Sequence, residues 1–335
     1  MTLVLNNDGM AVKMEGEHLV VKNHVDGSAR TIPLVSVARV FVLGAPAITY
    51  PVIIALMERD IPCVFMAKSG RVRGSLDIWG GSFSRRRMQQ YDLFRDPSRR
   101  MELSRGLVRA KLANCRRVIQ RLCANRHISI NELDENWRMV NGCLARLDSA
   151  RSIDELRGLE GKAGYGYFRL LGTFFPERFP FVERTRRPPK DPANALLSYV
   201  YMLLASEMEA VIRAHLLDAG FGFMHCDKLS APALALDLME PFRPGFADLL
   251  ALNLLGHARL DSERDFERDA ESGGVYLARE ARGKVLAASE QALSRRFLPV
   301  GGSEHITLRQ AMERQVISQV NAIEKGEPME YYKLI

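Results

Sequence analysis

Trp79-Gly80-Gly81-Ser82 is the point at which this 335-residue sequence changes its patterning. Before it the apolar runs are short: Leu3 to Leu5, Leu19 to Lys22, Val37 to Leu43 and Cys63 to Ala67. Asn7-Asp8-Gly9, Glu15-Gly16, Asp26-Gly27 and Ser69-Gly70 separate them. Gly, Asn and Asp tolerate the left-handed backbone that a tight reversal needs, so this part reads as strands and turns. One helix, about Tyr50 to Arg59, is inserted. After the break, apolar residues recur at helical spacing over Met101 to Asn125, Ile153 to Thr173, Ala193 to Leu217, Ala247 to Gly256 and Thr307 to Gly326, with few turn signals. The expected fold class is α+β and multidomain. A small β-rich domain over 1–80 is followed by a hinge over 81–90 and a larger all-helical domain over 91–335.

Length is sufficient for about two domains with a sizeable core. Lys and Arg total 47 against 40 acids, a net charge of +7. This balance favours a polyanionic partner. The distribution says more, because the segment from Ser84 to Arg126 holds 13 basic and three acidic residues. The acids that would make alternating surface pairs are nearly absent there, which points to phosphate contact. Arg85, Arg86, Arg87, Arg116 and Arg117 are its candidates, and Tyr91 and Phe94 either stack on bases or anchor the hinge. The five cysteines, at 63, 115, 123, 143 and 226, form no Cys-x-x-Cys pair and read as reduced thiols of a cytoplasmic protein. The start lacks a basic segment followed by a long apolar one, so secretion is not expected. Val40 to Met57 is uncharged, but Gly44, Pro46 and Pro51 interrupt it, and no membrane span is expected.

Chemistry-bearing residues gather further on. Gly222-Phe-Met-His225 is followed by Asp237-Leu-Met-Glu240-Pro-Phe-Arg243-Pro, which brings an imidazole, two carboxylates and an arginine together. Residues three apart share a helix face, so a helix over Ala231 to Met239 turns Asp237 and Glu240 the same way. The residues between them are apolar, and charges on an apolar element need a cation, a basic partner or a proton. A divalent metal is one solution; a hydrogen-bonded core histidine with Asp237 paired to Arg243 is the other. Upstream, Glu160-Gly161-Lys162-Ala163-Gly164 sets an acid before small residues. Arg184-Thr-Arg186-Arg187-Pro188-Pro189-Lys190-Asp191-Pro192-Ala-Asn194 is a basic, proline-stiffened loop leading into a helix. His257 and His305 lie beside no acid pair and stay outside the site.

The order Glu-Gly-x-Ala, Arg-x-Pro-Pro-x-Asp-Pro-x-Asn-x-Leu-Leu-Ser-Tyr, Gly-Phe-x-His and Leu-Asp-Leu-Met-Glu-Pro-Phe-Arg-Pro resembles CRISPR-associated protein 1, the integrase of spacer acquisition. The resemblance implies metal ligands Glu160, His225 and Glu240, with Asp237 as an adjacent catalytic acid and Asn194 and Arg243 in support. Arg184, Arg186, Arg187 and Lys190 would add DNA contacts. Two departures stand out. Ala163-Gly164-Tyr165 lacks an arginine common in the family, and the Ala219-Gly220-Phe221-Gly222 turn is abbreviated.

Oxygen-rich ligation with one imidazole suits Mg2+ or Mn2+ rather than zinc. The implied reaction is phosphoryl transfer from a DNA 3′-hydroxyl into CRISPR repeat DNA, with Asp237 assisting proton removal. The implied partners are double-stranded DNA with 3′-OH ends, a second copy joined through the β-rich domain, and CRISPR-associated protein 2. The alternatives are a plain metal-dependent DNA nuclease and a non-catalytic basic scaffold, and whether Glu160, His225 and Glu240 converge separates them.

Overall fold

A computed structural model describes residues 1–5, 9–67, 71–76, 81–130, 135–225 and 232–334. The expected turns at Asn7-Asp8 and Ser69-Gly70, the Trp79-Gly80 break, Cys226 and Ala231 fall outside them.

The amino-terminal part runs β1 (Thr2–Leu5), β2 (Met10–Glu15), β3 (His18–Asn23), β4 (Ala29–Pro33), β5 (Arg39–Leu43), β6 (Ala47–Ile48), α1 (Tyr50–Glu58), β7 (Cys63–Met66) and β8 (Val72–Ser75). Among the described residues two four-stranded sheets result. In one, ordered β1-β5-β7-β8, the first three strands are parallel and β8 is antiparallel. In the other, β2, β3 and β4 form an antiparallel meander and β6 lies parallel to β2. Leu5, Leu19, Val40, Leu56 and Cys63 fill the core between them. Pro51 opens α1, where its missing N–H costs nothing.

The rest is helical: α2 (Gly81–Arg95), α3 (Pro97–Asn125), α4 (Glu135–Ala145), α5 (Ile153–Gly172), α6 (Pro192–Ala214), α7 (Ala233–Leu238), α8 (Leu249–Gly256), α9 (Arg279–Ser294) and α10 (Leu308–Lys325). Two short antiparallel pairs accompany them, β9 (Phe266–Arg268) with β10 (Val275–Leu277), and β11 (Arg296–Phe297) with β12 (Ile306–Thr307). The caps are written in the sequence. Asp96 accepts from the Ser98 and Arg99 amides ahead of Pro97, Asp191 accepts from Asn194 ahead of Pro192, and Thr307 makes a capping box with Gln310. Gly326, at φ 70°, closes α10.

The expected hinge over 81–90 is helical and belongs to α2. Gly81 is only its boundary; from Ser84 onward Arg, Met, Gln and Leu are strong helix formers, and the next break is Asp96-Pro97. Tyr91 and Phe94 are anchors. The Tyr91 hydroxyl donates to Asp218 at 2.7 Å and both rings pack on Phe221. Helix α6 is long and apolar enough to cross a membrane by composition, but it runs through the core with Leu196, Val200 and Leu204 fully buried.

A third cluster joins the two parts: Phe41, Val64 and Met66 of the parallel sheet pack on Ala210 and Ala214 of α6. Arg39 forms an ion pair with Glu313 of α10 beside it. At the other end, residues 327–334 are drawn back over α3. The Tyr331 hydroxyl donates to Leu103 O at 2.7 Å, Asn114 accepts from the Leu334 amide, and Tyr332 stacks on Phe242 at 4.4 Å.

Candidate metal centre and nucleic-acid interface

Four segments build the site. Glu160 projects from the middle of α5, where Gly161 and Gly164 keep the neighbouring surface low. His225 lies in the irregular stretch after α6. Asp237 sits in the last turn of α7. Glu240 opens a separate 3-10 turn, Glu240–Phe242, followed by a π turn, Arg243–Asp248. Pro241 and Pro244 explain the changes of winding, since neither can donate to a regular α ladder.

Those changes divide the two acids that helical spacing places on one face. Asp237 is fully buried behind His225. Its Oδ2 accepts from the Phe223 and Met224 amides at 2.8 and 2.9 Å, and its Oδ1 meets the His225 amide at 3.1 Å and His225 Nδ1 at 2.6 Å. Four contacts exhaust a carboxylate's lone pairs, so the expected role of Asp237 in proton removal gives way to orienting the imidazole. Asp237 does not pair with Arg243. Gly222 is needed here, because a Cβ would stand 2.7 Å from Asp237 Oδ2 and 2.8 Å from the Ala233 backbone.

Burial disfavours charge on His225, but the Asp237 hydrogen bond and charge outweigh it and raise its pKa above the usual value. Nδ1 is engaged, which leaves Nε2 as the nitrogen for a ligand.

Glu240 is buried between two cations. Its Oε1 lies 2.7 Å from Arg243 and its Oε2 lies 2.7 Å from Lys111 Nζ. Burial pushes its pKa up, yet Arg243 first and Lys111 second hold it at about 2. Lys111 also forms an ion pair with Glu160. Burial works against its charge, and the two glutamates overcome this and keep it protonated. Charge counting alone assigns Lys111 to the basic surface of α3. Its place at an i+4 step among Leu107, Val108, Leu112 and Cys115, all buried, is the signal that it points inward.

The expectation that Glu160, His225 and Glu240 already form one coordination sphere is not met. Among the described residues no three His, Cys, Asp or Glu side chains are arranged to hold an ion. The physical reason is the Lys111 ammonium, which stands between two of the three. The donor set nonetheless fits a hard divalent cation. Glu160, His225 and Glu240 line one cleft of about 600 Å³, and Glu240 Oε2 is buried without a well-directed hydrogen bond.

Basic groups line the same cleft. Arg184, Arg186 and Arg187 come from the loop before α6, and Arg243 from the π turn. Asn194 does not reach the cleft; it locks the loop, with Oδ1 accepting from Arg184 and the Thr185 amide and Nδ2 donating to Glu183 O and Asp191. The guanidinium groups of Arg184 and Arg243 lie 5.3 and 4.9 Å from the Tyr201 ring, a cation–π arrangement. Arg186, Arg187 and Lys190 are exposed.

Much of the α2–α3 basic excess is spent on partners within the chain, part of it inside the fold and part, as at Arg109, on the surface. Arg86 donates to Glu324 at 2.6 Å and to His215 O at 2.9 Å, Arg105 donates to Leu147 O and Ala150 O, and Arg109 pairs with Asp148. Arg87 is half-buried, whereas Arg85, Arg116 and Arg117 remain exposed. Arg86 is therefore withdrawn as a surface contact.

Below Tyr201 lies a carboxyl that no sequence motif marks. Asp248 is buried and accepts from the Tyr167 and Tyr201 hydroxyls at 2.7 and 2.6 Å. Burial raises its pKa from 3.8 to about 6 despite those hydrogen bonds. A raised folded-state pKa means a contribution to stability that is complete below 3.8 and lost as pH rises through about 6. Asp248→Asn should remove that loss, gaining up to roughly 3 kcal/mol on wild type between acid and neutral pH. Urea titrations across this window check it; a pH-independent difference would count against it.

Residues 3–291 match the family described as CRISPR associated protein Cas1. The chain is 31% identical over 297 residues to the CRISPR-associated endonuclease Cas1 of Mycobacterium tuberculosis, covering 88% of this chain and 86% of that protein. It is 32% identical over 324 residues to CRISPR-associated endonuclease Cas1 1 of Moorella thermoacetica, covering 92% and 93%. In fold it is similar to a chain of a partial Cas6-RT-Cas1–Cas2 complex, with TM-score 0.80, 24% identity and 100% and 99% coverage. A casposase bound to integration product gives TM-score 0.77, 21% identity and 97% and 96% coverage.

Proposed function

The chain belongs to the CRISPR-associated protein Cas1 family, and from that premise we propose that it is a metal-dependent DNA integrase and endonuclease of CRISPR adaptation. It joins the 3′-hydroxyl ends of new spacer DNA to phosphodiesters of the repeat array. The observation that carries this reading is the single cleft in which Glu160, His225, Glu240 and five arginines, Arg157, Arg184, Arg186, Arg187 and Arg243, meet.

Glu160, His225 Nε2 and Glu240 would hold Mg2+ or Mn2+, which supplies Lewis-acid activation of the phosphate and lowers the pKa of the attacking hydroxyl. Arg184 and Arg243, pre-oriented on Tyr201, hold the non-bridging phosphate oxygens and neutralise charge that grows in the transition state. Arg186 and Arg187 bind the flanking backbone. Asp237 keeps Nδ1 protonated, so that Nε2 carries the lone pair. Two such centres at fixed spacing are needed to join two ends, which a homodimer provides. The Cas1–Cas2 assemblies among its fold relatives support CRISPR-associated protein 2 as the bridge.

One observation favours the non-catalytic scaffold: Lys111 already satisfies Glu160 and Glu240. The test is transfer of a labelled 3′ end into a repeat-containing duplex with and without Mn2+ or Mg2+. Joined product that requires the ion is expected. DNA binding with neither joining nor nicking would leave the scaffold, and nicking alone the plain nuclease.

DNA affinity should fall steeply with salt, by about 0.9 in log–log slope per neutralised phosphate. Reversing charge at Arg116 and Arg117 together should reduce the slope by about two. Arg86→Glu should leave the slope unchanged and lower the melting temperature, because its partners are Glu324 and the half-buried His215 carbonyl. Binding measured from low to moderate salt decides between these.

A further inference from the structure

The site is electrically complete as it stands. Two carboxylates, Glu160 and Glu240, face two cations, Lys111 and Arg243. Adding a divalent ion to this set would leave an excess of two positive charges in a largely buried place, which is unfavourable unless one resident cation leaves.

The two cations are not equally free to go. Arg243 is held on Glu240 and on the Tyr201 face at 4.9 Å. Lys111 carries its charge on a flexible four-carbon stem, and its 2.7 Å contact with Glu240 Oε2 is an ion pair without well-directed hydrogen-bond geometry. It also has somewhere to move: Lys111 lines an adjoining cavity of about 390 Å³, which shares Glu160 with the first cleft and where Glu183 offers another carboxylate.

We infer that Lys111 is the site's resident counter-cation, holding Glu160 and Glu240 together while no ion is bound and yielding its place when a divalent ion enters. This rests on the metal reading above. Lys111 is thus a positioning residue that sets the affinity for the ion: it offsets the repulsion between the buried Glu240 and the half-buried Glu160, and it competes with the metal for the same oxygens.

Two measurements test the inference without using activity. Mn2+ binding, followed by the electron paramagnetic resonance of the free ion, is compared for wild type, Lys111→Met and Lys111→Arg. Lys111→Met should bind about ten-fold more tightly, because no ammonium has to be displaced, and the charge-keeping Lys111→Arg should stay close to wild type. Equal or weaker binding by Lys111→Met, with wild type still binding, would overturn the role of Lys111 alone; Mn2+ binding by none of the three would overturn the metal reading and this inference with it. The second measurement uses wild type and does not depend on a variant folding. Trace acetylation of Lys111, read by mass spectrometry, should rise several-fold when Mn2+ is added, as the ammonium leaves its buried pair. Unchanged acetylation at saturating Mn2+ would overturn the displacement.

Discussion

Glu240→Gln should lower strand transfer by about three orders of magnitude while leaving DNA affinity within a few-fold of wild type. The substitution keeps shape and removes the one carboxylate that meets both Lys111 and Arg243. On the reading proposed above, affinity would come from arginine–phosphate contacts spread over Arg116, Arg117 and the 184–190 loop and would survive, whereas the barrier would depend on charge held at one point. His225→Ala should behave alike, since it deletes the imidazole donor of the cleft. Both are checked by single-turnover joining of a labelled 3′ end in Mn2+ and in Mg2+, with binding measured at the same salt. Undiminished transfer by both would remove the metal mechanism.

The second large effect is on stability. Asp237→Ala should cost about 3–5 kcal/mol, because three backbone amides and an imidazole lose their common acceptor at a fully buried position. Denaturant unfolding measures this directly. Asp237→Asn, which keeps one acceptor oxygen, should fall between the two. A loss below about 1 kcal/mol for the alanine variant would mean that the 222–225 turn is held by something else.

Local signals are legible in the sequence and long-range charge partners are not. Tyr50 to Arg59 against Tyr50–Glu58, and Thr307 to Gly326 against Leu308–Lys325, are readable because Pro51, Thr307 and Gly326 act within a few residues of themselves. Residues 81–90 read wrongly as a hinge because a glycine pair marks a boundary without specifying the conformation beyond it. The fate of each charge depends on its distant partner: Arg86 meets Glu324 at a separation of 238 residues, and Lys111 meets Glu160 at 49. Spacing therefore puts both on a DNA-facing surface that neither occupies. Glu160, His225, Glu240 and Arg243 reach one cleft, but the division of labour between Asp237 and Glu240 turns on winding imposed by Pro241 and Pro244, which a helical-period argument does not contain.

The small cluster of Phe41, Val64, Met66, Ala210 and Ala214, with Arg39 on Glu313 beside it, has a mechanical meaning. It welds the parallel sheet to the same helix whose first turn carries Asn194 and the lock on the basic loop. The sheet and the cleft therefore form the two ends of one stiff arm. If copies meet through their sheets, the separation of their two clefts is set by the length of that arm, and on the proposed function the protein would carry its own ruler for how far apart two joined ends fall.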